Sequence, residues 1–277
     1  MKKKYALITG SGRGIGARTA EVLAENGFGT ALCARTQREL SETTERISGQ
    51  YGTPVLGLVC DVSDDSAVKE MVGKAQDWAD GVDVLVNCAG IAGPLALFED
   101  ADPDEWRNVF DINFFGTVHC ARAILPAMKK QGHGKIINFT GGGAGGKHHP
   151  ERQTAYVTSK VAVCGFTETL ATEVEGDNIQ VNALSPGPVE TKIWDNVLTA
   201  EERRDLKAKE ADLSPEAAAQ LVAFLASERS GKLTGKVLSA RWDTPDGLAR
   251  DINGLNKSCR NTLRRIDGNN YHAQKDT

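Results

Sequence analysis

Short apolar runs alternate with longer amphipathic or polar segments along most of this chain. The apolar runs predict β-strands at residues 5–8, 30–34, 54–60, 82–86, 135–139, 179–183 and 236–240. Between them, apolar positions three and four residues apart predict helices at 15–26, up to about 51, 64–79, 103–130, 154–175 and from about 214 onward. Strand and helix therefore follow each other in strict alternation.

This alternation indicates the fold class. Nearly continuous apolar strands separated by helices form a parallel sheet that is covered on both faces, because right-handed crossovers place the helices there. We predict an α/β fold with a doubly wound, Rossmann-type parallel sheet of about seven strands in a three-layer sandwich. In such a fold, ligands bind beyond the carboxyl ends of the strands.

The chain divides into one domain and a tail. Residues 1–240 carry the alternating pattern and are expected to form a single Rossmann-fold domain. Within it, residues 191–212 are polar and helix-prone, and we interpret them as a lid-like insertion. Residues 241–277 have little periodic apolar content, which favours a C-terminal extension that is solvated or packs on a neighbouring subunit.

Composition limits the function classes. A formal net charge of −4 and a pI near 5.8 argue against nucleic acid or an anionic membrane as a partner. Lys2, Lys3 and Lys4 precede only a short apolar run, so we expect a cytoplasmic protein without a signal peptide. The six cysteines form no C-x-x-C pair, which favours reduced thiols and no metal site.

The first predicted strand runs into a glycine-rich turn and then a helix. Such a turn leaves backbone N–H groups pointing at one place, where the helix dipole favours an anion. Alone the motif is weak, and a plain tight turn explains it about equally well. As candidate cofactor-binding residues it supplies Gly10, Gly12, Arg13, Gly14, Ile15 and Gly16.

The residue after the second strand bears on the identity of a dinucleotide. An acidic residue there would bind the ribose hydroxyls of NAD, whereas a guanidinium pairs with the 2′-phosphate of NADP. This chain has Arg35, and Arg13 in the turn is placed to reach the same phosphate; the alternative is that both are ordinary surface arginines. After the third strand, Asp61, followed by Val62, is either an acceptor for an adenine amino group or a helix cap.

Taken together, several short motifs resemble those of the classical short-chain dehydrogenase/reductases over about residues 4–240. They are Thr9-Gly10-x-x-x-Gly14-x-Gly16, Asn87-Cys88-Ala89-Gly90, Asn113, Tyr156-x-x-x-Lys160 and Pro186-Gly187. Each is weak alone, but their order on the predicted elements is specific. The resemblance implies an NADP(H)-dependent enzyme that interconverts a small-molecule carbonyl and an alcohol, assembled as a homodimer or homotetramer.

By the same resemblance, Tyr156 transfers a proton to or from the substrate oxygen, Lys160 holds the nicotinamide ribose, and Asn113 positions a water. Lys160 lies one helical turn from Tyr156, and a charge about 4 Å away would lower the pKa of the phenol by at most about three units. Further cofactor contacts are expected from Asn87, Ala89, Gly90, Pro186, Gly187, Val189 and Thr191.

One position departs from the family pattern. The catalytic serine is absent: alignment from the fifth strand places Gly141 there, and counting back from Tyr156 places Gly143 there. Thr140 is the nearest hydroxyl and a candidate replacement; the alternative is the backbone N–H groups of the glycine run at residues 141–146. Loss of an oxyanion donor slows catalysis by about 10²- to 10³-fold, so the rival hypothesis is a cofactor-binding sensor or scaffold with impaired catalysis. His148 and His149 follow in the same loop, where they either contact substrate or are incidental.

Overall fold

The computed structural model describes residues 3–141, 150–189 and 214–263, together with the single residues 193, 199, 201 and 204. The strands are β1 (Tyr5–Thr9), β2 (Gly29–Ala34), β3 (Val55–Val59), β4 (Val84–Asn87), β5 (Gly134–Phe139), β6 (Ile179–Ser185) and β7 (Val237–Ser239). The helices are α1 (Gly14–Glu25), α2 (Gln37–Tyr51), α3 (Asp65–Ala79), α4 (Pro103–Phe110), α5 (Gly116–Gln131), α6 (Thr154–Glu173), α7 (Glu216–Ala226), α8 (Pro245–Arg250) and α9 (Ile252–Asn256).

The strands form one parallel sheet in the order β3-β2-β1-β4-β5-β6-β7, which confirms the predicted seven-stranded, doubly wound fold. Leu7 of β1 pairs with Ala31 on one side and Leu85 on the other. The strand order reverses between β1 and β4. At this switch point the connections leave to opposite faces, and a crevice opens beyond the carboxyl ends of the two strands.

Successive residues of each strand enter opposite layers of the core, because side chains alternate across a sheet. Ile8 packs in the layer that includes Leu23 of α1 and Leu221 of α7. Leu7 packs in the other layer, with Met71 of α3 and Ile124 of α5. The predicted three-layer sandwich is therefore confirmed. None of the described helices combines the length and apolarity needed to cross a bilayer.

The predicted helix at 103–130 is not one regular helix. A π-helical turn at Asp111–Phe115 separates α4 from α5. Such a turn adds a residue to the helical repeat and re-aims the side chains around it. Apolar periodicity does not reveal a single added residue, so the sequence predicted one continuous helix. Asn113 lies inside this turn.

The expected C-terminal extension begins by packing on the domain. Leu248 and Leu255 are buried in the layer that contains α1 and α7. The Lys236 amine donates to the carbonyls of Ser258 (2.9 Å) and Arg260 (3.3 Å). Residues 241–263 thus pack on the domain through these contacts, and residues 264–277 and most of the lid-like segment 191–212 lie outside the described residues.

Replacement of Leu248 by Ala tests this packing. We expect the free energy of unfolding to fall by about 2–4 kcal/mol, because the change leaves a cavity in a closed core. Urea denaturation measures the loss. Trp242→Ala is the matched control from the same segment: Trp242 is 75% exposed, and its loss should change stability by about 0.5 kcal/mol or less. Equal, small effects of both changes would show that the segment does not contribute to the core.

Candidate functional site

The glycine-rich turn contacts the turn after β4 at the switch point. Gly10 has a φ of +67°, and a Cβ on it would lie 2.8 Å from Ala89 Cα. A Cβ on Gly16 would lie 2.3 Å from the Gly10 carbonyl oxygen. Neither position accepts a side chain without displacing backbone, so the close approach of residue 10 to Ala89 requires glycine.

Two hydroxyl groups fix this turn. Thr9 Oγ1 accepts hydrogen bonds from the backbone N–H groups of Cys88 and Ala89, both at 3.1 Å. Ser11 Oγ donates to the Ile8 carbonyl (3.0 Å) and accepts from the Cys33 N–H (2.9 Å). We assigned no role to either hydroxyl from the sequence, although their places directly beside Gly10 were a usable signal.

The N-terminus of α1 fits an anionic group of a dinucleotide. Its N-cap residue, Arg13, is in extended conformation, and within the described chain the first turn carries no acidic residue and no side-chain cap. The first N–H groups of the helix are therefore open to a phosphate, which the helix dipole attracts. Ile15 is half-buried against the core and anchors this turn of the helix.

The two predicted phosphate-binding arginines each face a carboxylate. Arg13 Nη1 lies 3.0 Å from Glu39 Oε1, and Arg35 Nη1 lies 3.6 Å from Asp61 Oδ2. Both guanidinium groups are about half exposed. The sequence does not reveal these acidic partners, because the ion pairs form between separate elements of the fold.

Asp61 is not the cap of α3. The cap is Asp64, whose carboxylate accepts from the N–H groups of Ser66 and Ala67. Asp61 Oδ1 instead accepts from the N–H (3.0 Å) and hydroxyl (2.7 Å) of Ser63. Burial opposes ionisation of Asp61, but these hydrogen bonds and Arg35 outweigh it and lower its pKa. The carboxylate stays charged near neutral pH; the adjacent Val62 is buried.

Asn87, the last residue of β4, uses its side-chain amide to connect two strands. Its Nδ2 donates to Asn138 Oδ1 at 2.9 Å, and Asn138 donates in turn to Thr167 of α6. Asn87 Oδ1 is buried and makes no hydrogen bond within the described structure. Asn87 therefore joins the ends of β4 and β5, and both strand ends border the candidate site.

Asn113 is held from two sides by its side-chain amide. Its Oδ1 accepts from the Ile91 N–H (2.8 Å), and its Nδ2 donates to the Ile91 carbonyl (2.9 Å) and to Ser159 Oγ (3.1 Å). Ser159 Oγ donates to the Tyr156 carbonyl at 2.7 Å. Ser159, which the sequence analysis missed, thus connects the π-turn to the helix that bears Tyr156 and Lys160.

The sequence-predicted catalytic residues converge at the carboxyl edge of β4 and β5. A Cβ on Gly90 would lie 3.1 Å from Asn113 Oδ1 and 3.3 Å from Lys160 Nζ. A Cβ on Gly141 would lie only 2.5 Å from the Tyr156 hydroxyl oxygen. Two glycines, at the ends of neighbouring strands, therefore leave the space into which these side chains project.

Burial sets the protonation of Tyr156 and Lys160. It raises the pKa of Tyr156 to about 12, with a smaller contribution in the same direction from Cys88. It lowers the pKa of Lys160 to about 8. The Lys160 amine donates to the Phe139 carbonyl at 3.1 Å. The expected lowering of the phenol pKa by Lys160 is therefore not found in this arrangement, because the cost of desolvation dominates.

Of the two candidate positions for the serine, Gly141 lies next to the Tyr156 hydroxyl, and Gly143 lies outside the described residues. Thr140 Oγ1 donates to the Lys160 carbonyl at 3.0 Å and lies 3.2 Å from Cys164 Sγ. This geometry does not favour Thr140 as a replacement hydroxyl, because its donor is used to hold α6 against β5.

The loop after β6 begins at the same edge of the sheet. Pro186 and Gly187 follow β6 directly, Gly187 has a φ of +75°, and Val189 is buried. The remaining predicted contacts, Thr191, His148 and His149, lie outside the described residues.

A Rossmann-type fold with this edge is typical of nicotinamide-dependent oxidoreductases, and comparison with known proteins defines the class further. The family model described as short chain dehydrogenase matches residues 4–202. The short-chain reductase protein NovJ of Streptomyces niveus is 39% identical over 256 residues, covering 88% of this chain and 95% of NovJ.

Two further relatives agree. The (2S)-[(R)-hydroxy(phenyl)methyl]succinyl-CoA dehydrogenase subunit BbsD of Thauera aromatica is 33% identical and covers 86% of this chain and 95% of BbsD. A crystal structure of NAD⁺-bound xylitol dehydrogenase superimposes with a TM-score of 0.78 and 28% identity, covering 85% of this chain and 96% of that one. This chain belongs to the short-chain dehydrogenase/reductase family, whose members are oxidoreductases that bind a nicotinamide cofactor.

The low pKa of Lys160 predicts a dependence of stability on pH. Between pH 8 and 10.5 the unfolded chain keeps a proton on Lys160 that the folded chain has released, so stability rises with pH in this window. From pH 7.5 to 9.5 this group should add about 2 kcal/mol to the free energy of unfolding. Urea denaturation at the two pH values should show this gain in the wild type and its loss in Lys160→Met.

The comparison between the two proteins isolates Lys160, because burial also lowers the pKa of Lys135 to about 8 and this group titrates in both. Lys74→Met, which removes an exposed lysine paired with Glu70, is the control and should keep the wild-type gain. The same gain in Lys160→Met as in the wild type would mean that Lys160 titrates at its ordinary value.

Proposed function

We propose that this protein is an NADP(H)-dependent oxidoreductase of the short-chain type that interconverts a carbonyl and an alcohol. The observation that carries the proposal is the convergence of Tyr156, Lys160 and Asn113 beside Gly90 and Gly141, one strand away from the glycine-rich turn. On this proposal, the proton-transfer group Tyr156 lies near the surface that binds the phosphates of the dinucleotide.

A nicotinamide bound along this crevice would supply hydride to a carbonyl carbon or take it from an alcohol carbon. Tyr156 gives its hydroxyl proton to the carbonyl oxygen as the alcohol forms, and takes the proton back in the reverse direction. A pKa of about 12 keeps Tyr156 protonated at neutral pH, which suits the role of acid in carbonyl reduction.

Lys160 and Asn113 support this step. The Lys160 amine donates to the Phe139 carbonyl, and on this proposal it also binds the ribose hydroxyls of the cofactor. Asn113 is fixed by Ile91 and Ser159, and so holds the π-turn at the Gly90 side of the site. We propose that it also orders a water that exchanges protons with Lys160.

The proposed cofactor is NADP(H) rather than NAD(H). Two guanidinium groups support it: Arg13 lies in the glycine turn, and Arg35 follows β2. Their positive charges suit a 2′-phosphate. Asp61 is proposed as the acceptor for the adenine amino group. The solved xylitol dehydrogenase is bound to NAD⁺, so the proposal of NADP(H) rests on these arginines and not on the fold.

The remaining parts of the proposal concern substrate and context. The substrate is a small carbonyl or alcohol compound, and the name of BbsD adds hydroxyacyl thioesters to the classes worth testing. We propose a cytoplasmic homodimer or homotetramer. The exposed aromatic rings of Phe98 and Phe115 and the six free cysteines support this assignment.

A second candidate function is a cofactor-binding sensor or scaffold with impaired catalysis. It is favoured by one observation: the residue beside the Tyr156 hydroxyl is Gly141, which supplies no hydroxyl for the substrate oxygen. Retention of Tyr156, Lys160 and Asn113 favours the enzyme, since cofactor binding alone needs no proton donor.

Turnover with a panel of substrates separates the two. The protein is incubated with NADPH and ketones, aldehydes, keto-sugars and 3-oxoacyl thioesters, and the loss of reduced-nicotinamide absorbance is followed. We expect turnover with at least one class and a loss of about 10³-fold or more in Tyr156→Phe, because the proton donor is removed. Tyr51→Phe is the control. Binding of NADPH without turnover on any class would favour the sensor or scaffold.

The cofactor assignment has its own test in Arg35→Asp. The change removes a charge-assisted contact and places a carboxylate near the 2′-phosphate, so the Kd for NADPH should rise by about 10- to 100-fold. The Kd for NADH, which has no such phosphate, should change far less. Fluorescence titration measures both constants, with Arg107→Asp on α4 as control. Equal responses of the two cofactors would refute the assignment.

A further inference from the structure

Glu39 is an acidic residue that packs against the glycine turn. It lies in the first turn of α2, and its Oε1 is 3.0 Å from Arg13 Nη1. The carboxylate side chain is 17% exposed, whereas the arginine side chain is 54% exposed. The ion pair therefore joins a largely buried carboxylate to a cation that reaches into solvent.

Packing fixes this carboxylate in place. A Cβ on Gly12 would lie 3.3 Å from Glu39 Cβ, and Thr43 Oγ1 donates to the Gly12 carbonyl at 3.0 Å. The first two turns of α2 thus lie directly against the glycine turn. Glu39 is held beside Arg13 by the backbone geometry and not only by the attraction between the charges.

A cleft of about 340 Å³ opens at this place between α1 and α2. Arg13, Arg38 and Glu39 line it together with Gly12 and Thr43. The cleft adjoins the α1 N-terminus, where the proposed cofactor places its phosphates. A phosphate that approaches Arg13 here meets the carboxylate of Glu39 on the same guanidinium.

We propose that Glu39 competes with the 2′-phosphate of the cofactor for Arg13, and so limits the affinity of the protein for NADP(H) relative to NAD(H). The inference rests on the proposed function. Arg13 donates to one anion at the expense of the other, and two like charges near one another repel. Glu39 is then a selectivity-determining residue that acts against the phosphorylated cofactor.

Glu39→Gln tests the proposal, because it removes the charge and keeps the shape. Binding of NADPH and of NADH to the full chain is measured by fluorescence titration without substrate. We expect the Kd for NADPH to fall by about 3- to 10-fold at low salt, and the Kd for NADH to change by less than about twofold. Added salt should reduce the difference, because the groups are partly exposed.

Two further variants sharpen the result. Glu42→Gln makes the same charge change one turn later in the same cleft, where Glu42 lies 3.9 Å from Arg38, and should leave the NADPH Kd within about twofold. In an Arg13→Gln background, Glu39→Gln should give less than half of its effect on NADPH. An undiminished effect there would show general repulsion instead of competition for Arg13, and would overturn the proposal.

Other outcomes also decide the question. Weaker NADPH binding in Glu39→Gln would mean that Glu39 positions Arg13 for the phosphate, and weaker NADH binding would mean that it accepts from a ribose hydroxyl; either refutes the competition. A wild type that prefers NADH or binds neither dinucleotide would refute the proposed cofactor itself. A wild type that prefers NADPH, with no response in Glu39→Gln, refutes only the role of Glu39.

Discussion

The arrangement of the candidate site depends on the hydrogen bonds that the Cys88 and Ala89 N–H groups donate to the Thr9 hydroxyl. They join the ends of β1 and β4, the two strands between which the sheet order reverses. Once these ends are joined, Gly10 must approach Ala89 without a side chain, and the glycine turn is directed along the crevice. Two hydrogen bonds to a single hydroxyl therefore connect the glycine turn to the turn that borders the proposed catalytic residues.

Burial disfavours the charged forms of both proposed catalytic groups, Tyr156 and Lys160. It favours the neutral phenol of Tyr156 and the neutral amine of Lys160, although the two groups ionise with opposite sign. The attraction expected between an ammonium and a phenolate is thus opposed by the cost of removing both charges from water. The protein keeps the amine close to the Phe139 carbonyl, which satisfies a donor without adding a counter-charge.

The sequence was sufficient to predict the fold, because strand and helix periods depend on local pattern. It placed Gly10 and Gly90 after predicted strands, where ligands bind in such folds, and the structure brings Lys160 beside Gly90. It did not predict the π-turn at Asn113, since one inserted residue leaves the apolar pattern of α4 and α5 intact. Nor did it reveal Glu39 as the partner of Arg13, because that contact depends on how α2 packs on the glycine turn.

The last described residues bear on how copies of the chain can associate. The Val237 N–H of β7, the outermost strand, donates to the Asn261 carbonyl at 2.7 Å, and the Leu263 N–H donates to Glu168 of α6. The protein thereby covers part of its own outer strand with its own backbone. The Val237 N–H is therefore not available to pair with a strand of a neighbouring subunit. Association on this side relies on side chains, because the sheet cannot extend through this donor from one molecule into the next.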